Sequence, residues 1–301
     1  MSEELITIAN DALEIGVCPD LGGSLAFFRT KGNQLFDIFH PASPTTLKKK
    51  DIFHMAMFAM LPYTHRIEGG RFTYWGITRM VPKNHSGYPC PIHGDGWKAK
   101  WTVETKTSNH IELAYTHKKD DGYPFNYEAR LRYTLSDTTL NAEIELKNTG
   151  ALPMPCGIGL HPLFTRTPNA RLIFQNTTVW HHDTDPIDKP YKTPKSLSFS
   201  EGRDLKDEFF DTCFGGFDGK AYLQFPKYGI GVEVKTTDNF IHSTLYAPQK
   251  KGYFALEPST MTTDAFNKAS RGIIGTGIQS IGKDETLRGT ISFSVEKMMK
   301  K

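Results

Sequence analysis

Short runs of alternating apolar and polar residues dominate the chain. The clearest is 140–148 (LNAEIELKN), with Leu140, Ala142, Ile144 and Leu146 on one side and Asn141, Glu143, Glu145 and Lys147 on the other. Alternation of this length specifies a strand with one buried and one wet face. Residues 5–17 read as a hairpin turning at Asn10-Asp11, followed by a turn at 19–23 and a strand over 24–29. Further strands are expected at 97–104, 111–117, 125–136, 154–164, 171–179, 221–225, 231–236, 240–246 and 253–256, with a rigid aromatic segment at 209–214 and closing strands at 272–278 and 289–295. Residues 31–33 read as a turn, 41–51 and 184–202 as loops, and 51–61 (DIFHMAMFAML) fits either a short helix or a buried strand. Strands recur about every ten residues, turn signals separate them, and no amphipathic helix of four turns appears. The expected fold is all-β: a large antiparallel β-sandwich with few short helices, in a single domain over 1–301. No fixed-period repeat indicates a propeller or solenoid.

Composition adds limits. Charged residues make up 23% and hydrophobic ones 38% of 301 residues, as in ordinary globular proteins, and a net charge of +3 is too mild to argue for nucleic acid. Twenty Phe, twelve Tyr and four Trp favour strands and a site lined with rings. The four cysteines are far apart and form no C-x-x-C pair, and no apolar run is long enough to span a bilayer. A cytoplasmic location is therefore expected, with no membrane partner and either a monomer or a homodimer.

Five polar residues interrupt apolar or glycine-rich stretches: Arg66, His93, His161, Asp211 and Glu257. Glu257 follows Phe254-Ala255-Leu256 and precedes Pro258, which is expected to end the strand because it cannot donate to a ladder. A carboxylate buried there would have tunable basicity. Each residue also has a structural reading. Glu257 fits a surface strand end, His93 and His161 fit satisfied core histidines, Asp211 a turn and Arg66 a surface ion pair. Together, a carboxylate, histidines and an arginine suggest acid–base chemistry on a polar substrate. Aromatic rings suggest a sugar, with Trp75, Trp97 and Trp101 available to stack or to fill the core. A metal site of His93, His161 and Asp211 lacks close ligand spacing, and zincin, nucleophile-elbow and P-loop signatures are absent.

The motifs, taken in order, resemble one family. They are Pro19-Asp20-Leu21-Gly22-Gly23, the segment Pro62 to Phe72, Ile92-His93-Gly94 with Gly96-Trp97, Gly159-Leu160-His161-Pro162-Leu163-Phe164, Phe210-Asp211-Thr212-Cys213-Phe214, and Leu256-Glu257-Pro258-Ser259-Thr260 with Asp264-Ala265-Phe266-Asn267. From about Leu5 to Val295 the chain resembles the aldose 1-epimerase, or galactose mutarotase-like, family in its compact bacterial branch. The resemblance implies a galactose mutarotase-like supersandwich that interconverts the α and β anomers of a hexose without cofactor or metal. It implies Glu257 as base and His161 as acid, with Arg66, His93 and Asp211, together with Trp97, on the substrate. Two departures stand out. The asparagine often found before the arginine is His65 here. Residues 65–98 also carry Arg66, Arg71, Arg79, Lys83 and His85 against Glu68 and Asp95, which suggests an anionic or non-standard hexose or else a solvated basic face. Two other functions fit the same residues: a sugar-binding sensor of this fold, and a glycoside hydrolase or lyase using Glu257 and Asp211.

Overall fold

The computed structural model describes residues 5–32, 34–119, 122–182 and 189–298. Two large antiparallel sheets, of eleven and nine strands among the described residues, make up most of the fold, with two small two-stranded sheets beside them. Strand Thr139–Asn148 shows why the sequence pattern works. Its alternate residues are buried along the whole length, and it pairs with Tyr127–Ser136 on one side and Thr286–Lys297 on the other. The buried faces of the two sheets meet in one apolar core. Phe39 of the larger sheet meets Phe293 of the smaller edge-on at 5.0 Å, and Phe36 approaches Phe225 at the same distance. The expected all-β sandwich is therefore the observed architecture.

Local boundaries differ where tertiary contacts override the pattern. The run 51–61 is neither one helix nor one strand: Ile52–His54 is a 3-10 turn and Met57–Met60 a strand buried on both faces. The expected loop 41–51 holds a short helix, Pro44–Lys49, capped by the Ser43 hydroxyl accepting from the Thr46 N–H. Residues 96–98 form a 3-10 turn, so the next strand begins at Thr102. The single strand expected over 171–179 is two, Arg171–Phe174 and Thr178–His182. The strand expected at 272–278 lies later, at Gln279–Ile281. Of the two polar segments read as turn or loop, Asn33 and 183–188 lie outside the described residues, and 191–192 form a short strand.

Pro258 does not end its strand. Tyr253–Ser259 continues through Glu257 and Pro258, with residues 255–259 pairing in register with 242–246. On the other side it meets Gly159–Thr165, and there the ladder is broken. Gly159 pairs with Ser259 and Leu163 with Ala255, but the residues between, including His161, Pro162, Glu257 and Pro258, are unpaired across this seam. His161 and Pro162 pair instead with Phe58 and Met57. Two prolines that lack an N–H fall where the two strands need not donate to each other, so the strand tolerates them.

Candidate active site

The seam lies at one end of a cavity of about 570 Å³. Its floor is a patch of the larger sheet, and register fixes which residues share it. Glu257 stands opposite Thr244, Thr244 opposite Cys213, and Cys213 opposite His181. One row over, Asp211 stands opposite Tyr246. All six line the cavity, because side chains two apart on a strand share a face. Their neighbours of opposite parity, Leu245 and Leu256, face the core between the sheets.

Glu257 and His161 form a close pair in the cavity. Glu257 Oε1 lies 3.2 Å from His161 Nε2, and both residues are buried. Burial, reinforced by the charge of Asp211, raises the Glu257 carboxyl well above the ordinary carboxylate range, with Arg66 opposing. Burial pushes His161 down to about 4. Both shifts favour uncharged partners, so the pair keeps one mobile proton between an oxygen and a nitrogen. Phe58 stacks on the His161 ring at 4.4 Å and fixes its plane.

Two loop residues in left-handed backbone conformation form the next wall. His65 has φ 57° and His93 φ 59°. For side chains of this size such angles are uncommon and are sustained only by surrounding contacts. Here the contacts are explicit. The His65 backbone N–H donates to His93 Nδ1 at 3.2 Å, so a neutral His93 carries its proton on Nε2 and presents a donor. The Asn84 side chain donates to the carbonyls of Ile92 and Gly94 and accepts from the Ile92 N–H, clamping the loop from behind. Gly94 is required at its position: its φ is +73°, and a Cβ would lie 1.9 Å from the Leu61 carbonyl oxygen. His65 Nδ1 is 3.8 Å from Glu257 Oε2, while its Nε2 meets Ser259 Oγ at 3.2 Å.

Arg66 reaches the far part of the floor, where one guanidinium nitrogen donates to Asp211 Oδ2 at 3.2 Å and to His181 Nε2 at 3.3 Å. Asp264 holds the Arg66 loop in place. Its backbone N–H donates to the Arg66 carbonyl, and its carboxylate accepts from the Glu68 N–H and the Asn267 amide. The Asp264-to-Asn267 segment is thus a brace and does not line the cavity.

Five of the six candidate residues, Arg66, His93, His161, Asp211 and Glu257, therefore converge on one cavity. Trp97 does not reach it: the residue is 1% exposed, its indole N–H donates to the Gly94 carbonyl at 2.8 Å, and its ring packs behind Phe53 and Phe58. Trp101 is likewise buried, and Trp75 lies exposed on the separate hairpin 71–80. The aromatic walls are Phe53, Tyr88, Tyr246 and Tyr253 instead. Gly157 and Gly159, expected to allow close approach, make room for neighbouring protein: a Cβ would lie 2.3 Å from Met261 Sδ at the first and 2.7 Å from Met60 Cε at the second. Of the basic stretch, Arg66 and His85 face the cavity, whereas Arg71, Arg79 and Lys83 do not. Lys49, Lys50 and His54, outside that stretch, border the cavity as well.

His93, His161 and Glu257 bring three candidate donor atoms within 4.8 Å of one another. The hydrogen bonds argue against a metal centre there. His93 Nδ1 is already an acceptor, which leaves Nε2 as an N–H, and His161 Nε2 faces the Glu257 oxygen. Asp211, the third residue of the set weighed and disfavoured from the sequence, is engaged by Arg66. The set is suited to moving protons.

Among the described residues, no helix is long and apolar enough to cross a membrane. Known proteins place the chain. The uncharacterized protein YphB of Escherichia coli K12 is 25% identical over 224 residues, covering 71% of this chain and 76% of that one. A putative aldose 1-epimerase from E. coli K12 superposes with a TM-score of 0.88 at 22% identity, covering 98% of this chain and 99% of that one. A galactose mutarotase-like protein from Clostridium acetobutylicum follows at 0.85 and 19%, covering 99% and 97%. At such identities the superpositions establish the fold. The sequence itself matches the aldose 1-epimerase family over residues 4–294, nearly its whole length, and with the shared fold this means that the chain belongs to that family.

Proposed function

We propose that the protein is an aldose 1-epimerase, an isomerase that interconverts the α and β anomers of a hexose with Glu257 as base and His161 as acid. The observation that carries this reading is the buried 3.2 Å contact between Glu257 Oε1 and His161 Nε2 at the end of a cavity lined with hydrogen-bonding groups. Ring opening removes a proton from the anomeric hydroxyl and delivers one to the ring oxygen, so it needs a base and an acid together. In the form with the mobile proton on His161, Glu257 takes the proton of O1. The C1–O5 bond breaks, its electrons go to O5, and O5 takes the proton of His161. The open aldehyde turns about C1–C2, and closure runs the same transfers backwards on the other face. Neither residue changes its protonation over a complete turnover, which suits a buried pair that keeps one proton. His93 Nε2–H, Arg66 and Asp211 hold sugar oxygens. No step calls for a metal or redox cofactor.

A neutral hexose is the favoured substrate. Arg66 is already compensated by Asp211, and Asp51 accompanies the lysines at the cavity border, so the basic stretch does not leave a concentrated positive charge in the site. A hydrolase using Glu257 and Asp211 is less favoured, because Asp211 is tied to Arg66 while Glu257 already has His161 as its proton partner. The protein is proposed to act as one domain in the cytoplasm.

The test is exchange spectroscopy between the anomers of galactose, glucose and one anionic sugar. Wild type is expected to accelerate exchange, and Glu257→Gln and His161→Asn are each expected to abolish the acceleration. Binding without acceleration in wild type would instead identify a sugar sensor. Faster exchange of the anionic sugar would reverse the substrate assignment.

A further inference from the structure

The strand Thr178–His182 carries a bulge. Val179 pairs with Phe214 and His181 with Cys213, so Trp180 is an inserted residue. Without it Val179 and His181, two apart, would share a face. With it, Val179 packs in the core beside Phe214 while His181 turns to the cavity beside Cys213. Bulges commonly re-aim a side chain next to a site, and this one brings a histidine that the mechanism above does not use.

The chemistry of His181 is fixed by its partner. A guanidinium can only donate, so His181 Nε2, 3.3 Å from Arg66, accepts and carries no proton. Burial and the Arg66 charge hold the ring below its ordinary pKa, in its neutral form. The ring proton is therefore on Nδ1, which makes no hydrogen bond among the described residues. Three interstrand steps separate His181 from Glu257, about 14 Å of backbone. A sugar whose C1 and ring oxygen lie at Glu257 and His161 presents its opposite edge, C3 and C4, towards Arg66, Asp211 and His181.

We propose that His181 is a further specificity-determining residue, whose Nδ1–H donates to the hydroxyl on C3 or C4 of the sugar. This rests on the sugar site proposed above. It gives the bulge a function: it adds a donor to the far edge of the site, where epimeric hexoses differ.

The test measures sugar affinity by titration, and KM and kcat by anomer exchange, for the parent hexose and its 3-deoxy and 4-deoxy analogues. Removing the hydroxyl read by His181 is expected to weaken wild-type binding about threefold to tenfold, the usual worth of one neutral hydrogen bond. Two substitutions separate the ring nitrogens. His181→Gln places an amide near the Nε2 position and loses the Nδ1 donor. His181→Asn places an N–H near the Nδ1 position. The glutamine variant is expected to raise KM about threefold to tenfold, with kcat within about twofold, and to bind parent and deoxy sugar equally. The asparagine variant is expected to restore most of the discrimination. Two results would overturn the proposal while leaving the epimerase reading intact: a wild type that exchanges anomers but binds both deoxy sugars as tightly as the parent, or a glutamine variant that still discriminates as wild type does. A wild type that neither binds nor exchanges any hexose removes both. The wild-type measurement stands even if a variant fails to fold.

Discussion

His242 offers a quantitative test of how this fold pays for its buried imidazoles. It is 1% exposed, lies edge-on to Trp180 at 5.4 Å, and does not line the cavity. Burial lowers it to about 4, with the carbonyls of Thr260 and Gly275 opposing. The unfolded chain takes up a proton near pH 6.5, whereas the folded protein does so only near 4, so the unfolded state binds more protons in between. Stability is therefore lost as pH falls from about 6.5 towards 4. The loss from this one residue reaches about 2 kcal/mol at pH 5 and about 3 kcal/mol once pH is below both values. His161, also lowered to about 4, adds a similar amount. Glu257 acts in the opposite direction: its raised folded pKa gives stability that is full below its ordinary value and is lost as pH rises from there through the raised one. The contribution of His242 must therefore be isolated by difference. Urea unfolding of wild type and His242→Phe at pH 7.5, 6 and 5 provides it. The variant is expected to be weaker at pH 7.5, having lost its polar contacts, yet to lose about 2 kcal/mol less than wild type between pH 7.5 and 5. Parallel pH dependences in the two proteins would refute the reasoning.

Other outcomes follow from the site. The profile of kcat/KM against pH for wild-type anomer exchange is expected to have its basic limb, the loss of the proton shared by Glu257 and His161, above the ordinary carboxylate range, since burial raises Glu257; a basic limb near pH 4 would contradict this. Trp97→Phe removes the indole donor to the Gly94 carbonyl and should cost about 1–3 kcal/mol in unfolding experiments, with KM changed less than twofold if the ring only packs behind the site. Gly94→Ala forces a Cβ against the Leu61 carbonyl and should lower the melting temperature and abolish exchange together, as read by calorimetry and NMR on one sample. Asn84→Ala frees the His93 loop from three hydrogen bonds and should weaken sugar binding more than it lowers the melting temperature.

The sequence by itself determined the class of fold and the chemistry available to it. Alternation in 140–148 placed its apolar residues on one face, because side chains along a strand alternate whatever the strand packs against. The order of motifs brought Arg66, His93, His161, Asp211 and Glu257 into consideration together, and all five meet in one cavity. The tertiary structure decided what periodicity does not encode. Pro258 stays within a strand because the adjacent ladder opens at that point, which depends on a strand nearly a hundred residues away. Trp97 has the composition of a sugar platform but is a core ring, and Phe53, Tyr88, Tyr246 and Tyr253 form the walls instead. Asn84 resembles any polar loop residue until its three hydrogen bonds to the His93 loop are seen. His181 faces the cavity through a one-residue bulge, which reverses the parity on which a sequence reading relies. Alternation is a local property and can be read along the chain, whereas register between strands is set by distant partners and appears only when the sheet is assembled.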